Sequence, residues 1–145
     1  MLNIAAILLT AALMQPVASS PLDAVKTEPN LEKRSEKALD YADDTVGKLR
    51  GLYKHGDWKG VEAALSEIRA AVDMARESLV QSGKNPRKAP KYFKKAELKT
   101  RELARRLNSF SQEVSFEERA PVDSTREYVM KVHDQFLEDV MTRRK

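Results

Sequence analysis

Phe93-Lys94-Lys95-Ala96-Glu97-Leu98-Lys99-Thr100-Arg101-Glu102-Leu103-Ala104-Arg105-Arg106-Leu107-Asn108-Ser109-Phe110-Ser111-Gln112-Glu113-Val114 decides the fold. Within it Phe93, Ala96, Thr100, Leu103, Leu107, Phe110 and Val114 recur at alternating steps of three and four. That spacing puts them on one stripe of an α-helix, while the residues between them are mostly charged. A stripe so regular predicts a seam facing neighbouring helices rather than a strand or an isolated surface helix.

Three more stretches repeat the pattern. Upstream lie Leu31, Ser35, Ala38, Ala42, Thr45, Leu49 and Leu52, flanked by Leu39, Val46 and Tyr53, with Pro29 suited to the first helical position. His55-Gly56-Asp57 ends that helix, and Asp57 is the N-cap of the next, whose stripe is Val61, Leu65, Ile68, Val72, Ala75 and Leu79. Gly83 closes it, and residues 84–90, with two prolines, form a loop. Ser115 to Ala120 separates the decisive stretch from a fourth helix running from Pro121 to about Thr142 through Val122, Thr125, Val129, Val132, Phe136 and Val140. Similar lengths and short connections predict an all-α, antiparallel up-down-up-down four-helix bundle over residues 29–142. A three-helix core with the fourth helix docked loosely, or used to dimerise, is the other arrangement the pattern allows. Residues 20–28, holding Pro21 and little apolar content, read as a flexible leader.

The 145-residue chain fits one domain, and it has no Cys. Disulfides, thiolate catalysis, Cys-ligated zinc and iron–sulfur clusters are thereby excluded. Five Gly and few aromatics argue against barrels, sandwiches and phosphate-binding glycine loops. The first nineteen residues differ from the rest: Ile4 to Met14 is an apolar run interrupted only by Thr10, then come Gln15-Pro16 and the small residues Val17-Ala18-Ser19. This order predicts a secretory signal peptide over 1–19, cut before Ser20, and a secreted or periplasmic protein. A run of eleven residues, ten of them apolar, is too short to cross a bilayer, which takes about 20.

Motifs for chemistry are sparse. Neither His55 nor His133 has a Glu three residues before it, so the Glu-x-x-His pairs of a di-metal bundle are missing, as is HExxH. There is no Gly-x-Ser-x-Gly elbow. The expectations are therefore no enzyme and no cofactor or metal, with His55 solvated in a loop and His133 partly exposed and incidental. Asp40, Asp43 and Asp44 read as a solvated face screened by Lys37 and Lys48. Gly47 and Gly51 each cost a helix about 1 kcal/mol against Ala, which close approach of a neighbouring helix or a local hinge would offset. Tyr53 and Trp58 read as a plug at the bundle end.

One surface is strongly biased. Between Lys84 and Arg106 lie ten cations, Lys84, Arg87, Lys88, Lys91, Lys94, Lys95, Lys99, Arg101, Arg105 and Arg106, against Glu97 and Glu102, a balance of +8 in a chain of net +4. Such a stripe attracts anionic polymers or lipid headgroups. It equally serves as the charged outer face of a helix answering acidic neighbours. All of the ten except Arg101 are taken as candidate anion-binding residues. Export sets nucleic acid aside, leaving an envelope polymer or membrane surface as partner. The predicted role is a non-enzymatic binding or structural module of the cell envelope. The rival is a protein-interaction or homodimerisation module that offers an apolar helix stripe to a partner helix.

Tyr53-Lys54-His55-Gly56-Asp57-Trp58, followed by Val61, Leu65 and Ile68, is similar to the inter-helix turn of a tetratricopeptide unit. The likeness covers one turn, and the flanking helices are about twice the length that repeat uses. From Leu31 to Met141, and most specifically over Gly83-Lys84-Asn85-Pro86-Arg87-Lys88-Ala89-Pro90-Lys91-Tyr92-Phe93-Lys94-Lys95-Ala96-Glu97, the chain resembles small uncharacterised exported bacterial helical proteins. That resemblance implies compartment and fold class, and it brings no activity.

Overall fold

The computed structural model describes residues 20–142, so the expected signal peptide over 1–19 and its cleavage site lie outside the described residues. Among the described residues there is no strand. Five α-helices follow one another: α1 (Pro21–Lys26), α2 (Leu31–Lys54), α3 (Trp58–Gln81), α4 (Pro90–Glu113) and α5 (Arg119–Met141).

Local chemistry sets the boundaries. The Asn30 side chain accepts a hydrogen bond from Lys33 N at 2.9 Å, so α2 starts one residue after Asn30 and Pro29 stands outside the helix instead of opening it. Gly56 and Gly83 take φ of +70° and +66°, the left-handed conformation that ends α2 and α3 and that a Cβ would strain. The Asp57 carboxylate accepts from Gly60 N at 2.9 Å and caps α3. After α4, Glu118 N donates to Ser115 O at 3.0 Å, and the 3₁₀ turn Phe116–Glu118 runs directly into α5. That helix therefore begins at Arg119, ahead of the expected Pro121. Pro121 sits in the first turn, where a missing N–H costs no intrahelical bond.

The long helices pack as two hairpins, α2 with α3 and α4 with α5. Within each, partners run in opposite directions: Tyr41 Oη donates to Glu67 at 2.7 Å, and Ser111 Oγ and Arg126 Nη1 bond Asp123 and Asn108 at 2.6 Å. The hairpins then stack, α2 on α4 and α3 on α5. Here the pairing numbers rise together, from Glu36–Lys95 through Asp40–Lys99 and Asp43–Arg106 to Arg50–Glu113, so α2 and α4 run parallel. Across α3 and α5, Arg69 reaches Ser124, Asp73 reaches Tyr128 and Arg76 reaches Asp139, again in parallel. Antiparallel neighbours thus occur within the hairpins, while the joint between hairpins is parallel. Leu39, Leu49, Ile68, Leu79, Leu103, Leu107 and Phe136 are fully buried at that joint and inside the hairpins. Each such side chain contributes about 1.5–3 kcal/mol of transfer free energy.

Residues 21–26 correct the expectation of a flexible leader, because they are helical. Pro21 suits the first helical position, Ser20 N donates to Asp23 Oδ2 at 2.9 Å, and Asp23 N returns a bond to Ser20 O at 2.8 Å. Leu22 is buried and Val25 packs on the same core, so an i, i+3 apolar pair docks the short helix on the first hairpin.

Candidate functional site

The structure divides the basic run in two. On α4, Lys95, Lys99 and Arg106 lie against α2 and pair with Glu36, Asp40 and Asp43. A fourth rung, with its signs reversed, joins Arg50 of α2 to Glu113 of α4 at 2.6 Å. Lys84 joins Glu32 at 2.9 Å, and Arg105 joins Glu102, its neighbour one turn back, at 2.5 Å. The hydrogen bond from Lys95 holds the Glu36 carboxyl below the ordinary glutamate range despite the opposing effect of burial, with the Lys99 and Lys91 charges adding to the lowering. Arg50 does the same for Glu113. Partly exposed pairs of this kind are worth about 0.2–1 kcal/mol each, so the ladder orients the hairpins more than it stabilises them.

The acidic cluster of α2, Asp40, Asp43 and Asp44, is exposed as expected, but its partners are not the expected ones. Asp40 and Asp43 are spent on α4, and Lys37, expected to screen them, instead bonds Glu28 at 2.5 Å.

What stays open is the end of the molecule formed by the 82–89 loop and the first turns of α4. There Lys88, Lys91 and Lys94 are exposed and pair with no carboxylate among the described residues. Lys91 Nζ stands 5.4 Å from the Tyr92 ring centroid. Arg87 Nε donates to Thr142 O at 2.8 Å, fastening the loop to the end of α5. Asn85 organises the turn: its carbonyl accepts from Lys88 N and Ala89 N, and its side chain from Arg87 N at 2.9 Å.

A second feature escaped the sequence pattern. His133 on α5 is 5% exposed and Glu97 on α4 is 7% exposed, and Nε2 of the one meets Oε1 of the other at 3.0 Å. The expectation of a partly exposed, incidental His133 is therefore corrected. The other ring nitrogen, Nδ1, faces Asp134 Oδ1 at 3.1 Å. Ionised carboxylates only accept, so the doubly protonated ring satisfies both partners and the neutral ring only one. Arg101 adds a charge-assisted bond to Glu97 Oε1. Burial pushes the Glu97 carboxyl up, but the bonds from His133 and Arg101, with the Arg101 charge, more than offset it and leave it below the ordinary value of 4.5. Two carboxylates and one imidazole do not assemble into a metal centre: among the described residues no group of three or more His, Asp or Glu is placed to hold an ion. His55, in contrast, is exposed at the end of α2, as expected.

The glycine pair also departs from expectation. A Cβ built on Gly51 meets nothing within 4 Å, and one on Gly47 meets only Arg106 Nη2 at 3.5 Å, an ordinary contact. Neither glycine admits a neighbouring backbone. Tyr53 does form the expected plug at the far end, with edge contacts to Trp58 and Phe110 at 6.4 and 6.1 Å between ring centroids. Its hydroxyl accepts from Ser115 N at 3.1 Å.

No described helix is long and apolar enough to cross a membrane. No protein-family model, curated protein or solved structure matches the chain.

Proposed function

We propose that this protein is an exported four-helix bundle of two stacked hairpins that acts by binding, not catalysis, and that it docks on an anionic envelope polymer or membrane surface. The observation that carries this reading is the basic end, where Lys88, Lys91 and Lys94 stand exposed and pair with no carboxylate among the described residues. The α4 N-terminus lies beside them, and Ala89 supplies no side-chain cap to it. Helix N-termini carry partial positive charge, which adds to that of the lysines. For docking on an extended surface the set is thereby narrowed from the whole Lys84–Arg106 run to this end, since Lys95, Lys99 and Arg106 lie along the α2–α4 joint and pair with α2.

The test is co-sedimentation with liposomes, with and without phosphatidylglycerol, and with soluble polyphosphate. Lys88→Glu, Lys91→Glu and Lys94→Glu together abolish binding at low salt, and added salt weakens the wild type. Lys95 is left intact because a Glu there would face Glu36 and disturb the joint between α2 and α4 for unrelated reasons. Unchanged binding by the triple variant overturns the proposal.

Exposed Leu98 and Met130, at 56% and 37%, favour a second reading, pairing of two copies through the α4–α5 hairpin. Sedimentation velocity over a concentration series separates it: a monomer throughout removes it.

A further inference from the structure

Between α2 and α4 lies a groove of about 210 Å³ lined by Gly47, Arg50, Arg105, Arg106 and Ser109 above a floor of Val46 and Phe110. Among the described residues, three guanidiniums line it and no carboxylate does. Their acidic partners, Glu113, Glu102 and Asp43, lie outside the lining. Each arginine is thus anchored from outside the groove. Arg50 uses Nε and Nη2 on Glu113, Arg105 uses Nε and Nη2 on Glu102, and Arg106 uses Nη1 on both the side chain and the carbonyl of Asp43. Among the described residues, Nη1 of Arg50, Nη1 of Arg105 and Nη2 of Arg106 take no acceptor. These are planar donors, fixed by their second edge and left with unspent N–H groups.

Gly47 completes the arrangement. Glycine is a weak helix former, and among the described residues no backbone or core side chain requires its small size at 47. The one atom near its missing Cβ is Arg106 Nη2 at 3.5 Å, so a side chain at 47 would stand in front of that unspent donor.

We infer that this groove is a binding site for a phosphate dianion, free or as the monoester end of a larger molecule. Its oxygens would accept from the three guanidiniums and the group would rest over Gly47. The site is separate from the basic end proposed above, and neither requires the other.

The experiment is isothermal titration of the full chain with inorganic phosphate, and in a second arm with a short-chain phosphatidic acid, at low ionic strength. Wild type binds in at least one arm, and which arm is tighter identifies the source. Arg106→Gln and Gly47→Leu each weaken binding at least about tenfold, the loss expected when a hydrogen bond to a charged group is removed or blocked. Leu is a strong helix former, so Gly47→Leu keeps the fold, which circular dichroism verifies. Lys88→Glu, Lys91→Glu and Lys94→Glu together leave phosphate affinity within twofold of wild type. No heat in either arm, or binding that survives both Arg106→Gln and Gly47→Leu, overturns the inference. Loss of liposome binding with phosphate affinity intact leaves this site standing and concerns only the basic end.

Discussion

Replacing Glu97 by Ala removes the acceptor on which the α4–α5 joint converges, and the cost can be worked out bond by bond. Glu97 Oε1 takes a bond from His133 Nε2 at 3.0 Å and another from Arg101. The Arg101 side chain is 59% exposed and simply turns to water, so its share is close to nothing. His133, with a side chain 7% exposed, has no such escape. A lost hydrogen bond to a charged group costs about 1.5–3 kcal/mol, and the orphaned imidazole places Glu97→Ala near the upper half, about 2–3 kcal/mol. For a domain of this length that lowers Tm by roughly 8–12 °C. Glu97→Gln retains an acceptor and costs about half as much. Urea unfolding of wild type, Glu97→Ala, His133→Ala and the double variant gives the coupling directly, with about 1–2 kcal/mol expected. The sign with pH follows from the carboxyl lying lower in the folded chain than its ordinary 4.5. Its contribution is complete above that value and is lost as pH falls through the lower folded value. The gap in stability between wild type and Glu97→Gln therefore closes in acid. A cost below about 0.5 kcal/mol for Glu97→Ala, or a gap that widens on acidification, would refute the reasoning.

Four other positions give outcomes of their own. Gly51→Ala stabilises by about 1 kcal/mol in thermal unfolding, since its Cβ enters open space, whereas Gly60→Ala destabilises by a similar amount because its Cβ would lie 2.3 Å from the Asp57 carboxylate that caps α3. Asn30→Ala, which removes the α2 cap, costs about 1 kcal/mol in urea unfolding. Tyr128 donates to Asp73, and that bond, with burial and the Asp73 charge, pushes its phenol up to about 12. The stability it adds is complete below the ordinary value of 10 and disappears as pH rises through 12, so Tyr128→Phe flattens that alkaline loss and removes the latest phase of the 295 nm titration.

The apolar stripes announce the four long helices because burial is periodic, and Phe93, Leu103, Leu107 and Phe110 are all buried as their spacing requires. The same arithmetic hides Glu97, which flanks Ala96 within that stripe and reads as one more outward charge. Its partner lies thirty-six positions away, a relation carried by tertiary packing alone. The signal that could have found the pair is His133 standing four residues after Val129 on the α5 stripe, too close to the seam to be solvated. The basic run misleads for a related reason: its +8 was counted along the chain. Glu32, Glu36, Asp40 and Asp43 recur on α2 at helical steps, a complementary stripe visible in the sequence, but only the stacking brings it opposite Lys95, Lys99 and Arg106. Short α1 leaves no such trace, because six residues with two core-facing apolar side chains, Leu22 and Val25, carry almost no periodicity.

The reversed last rung of the α2–α4 ladder makes the stacking directional. Were the second hairpin to land the other way round, Glu113 would arrive near Glu36 and Lys95 near Arg50, each meeting its own sign. A greasy seam alone is nearly indifferent to heads and tails. Here one transposed pair labels them: the wrong orientation turns the two end rungs from attraction to repulsion while the two middle rungs still pair, which biases the stacking toward the observed direction.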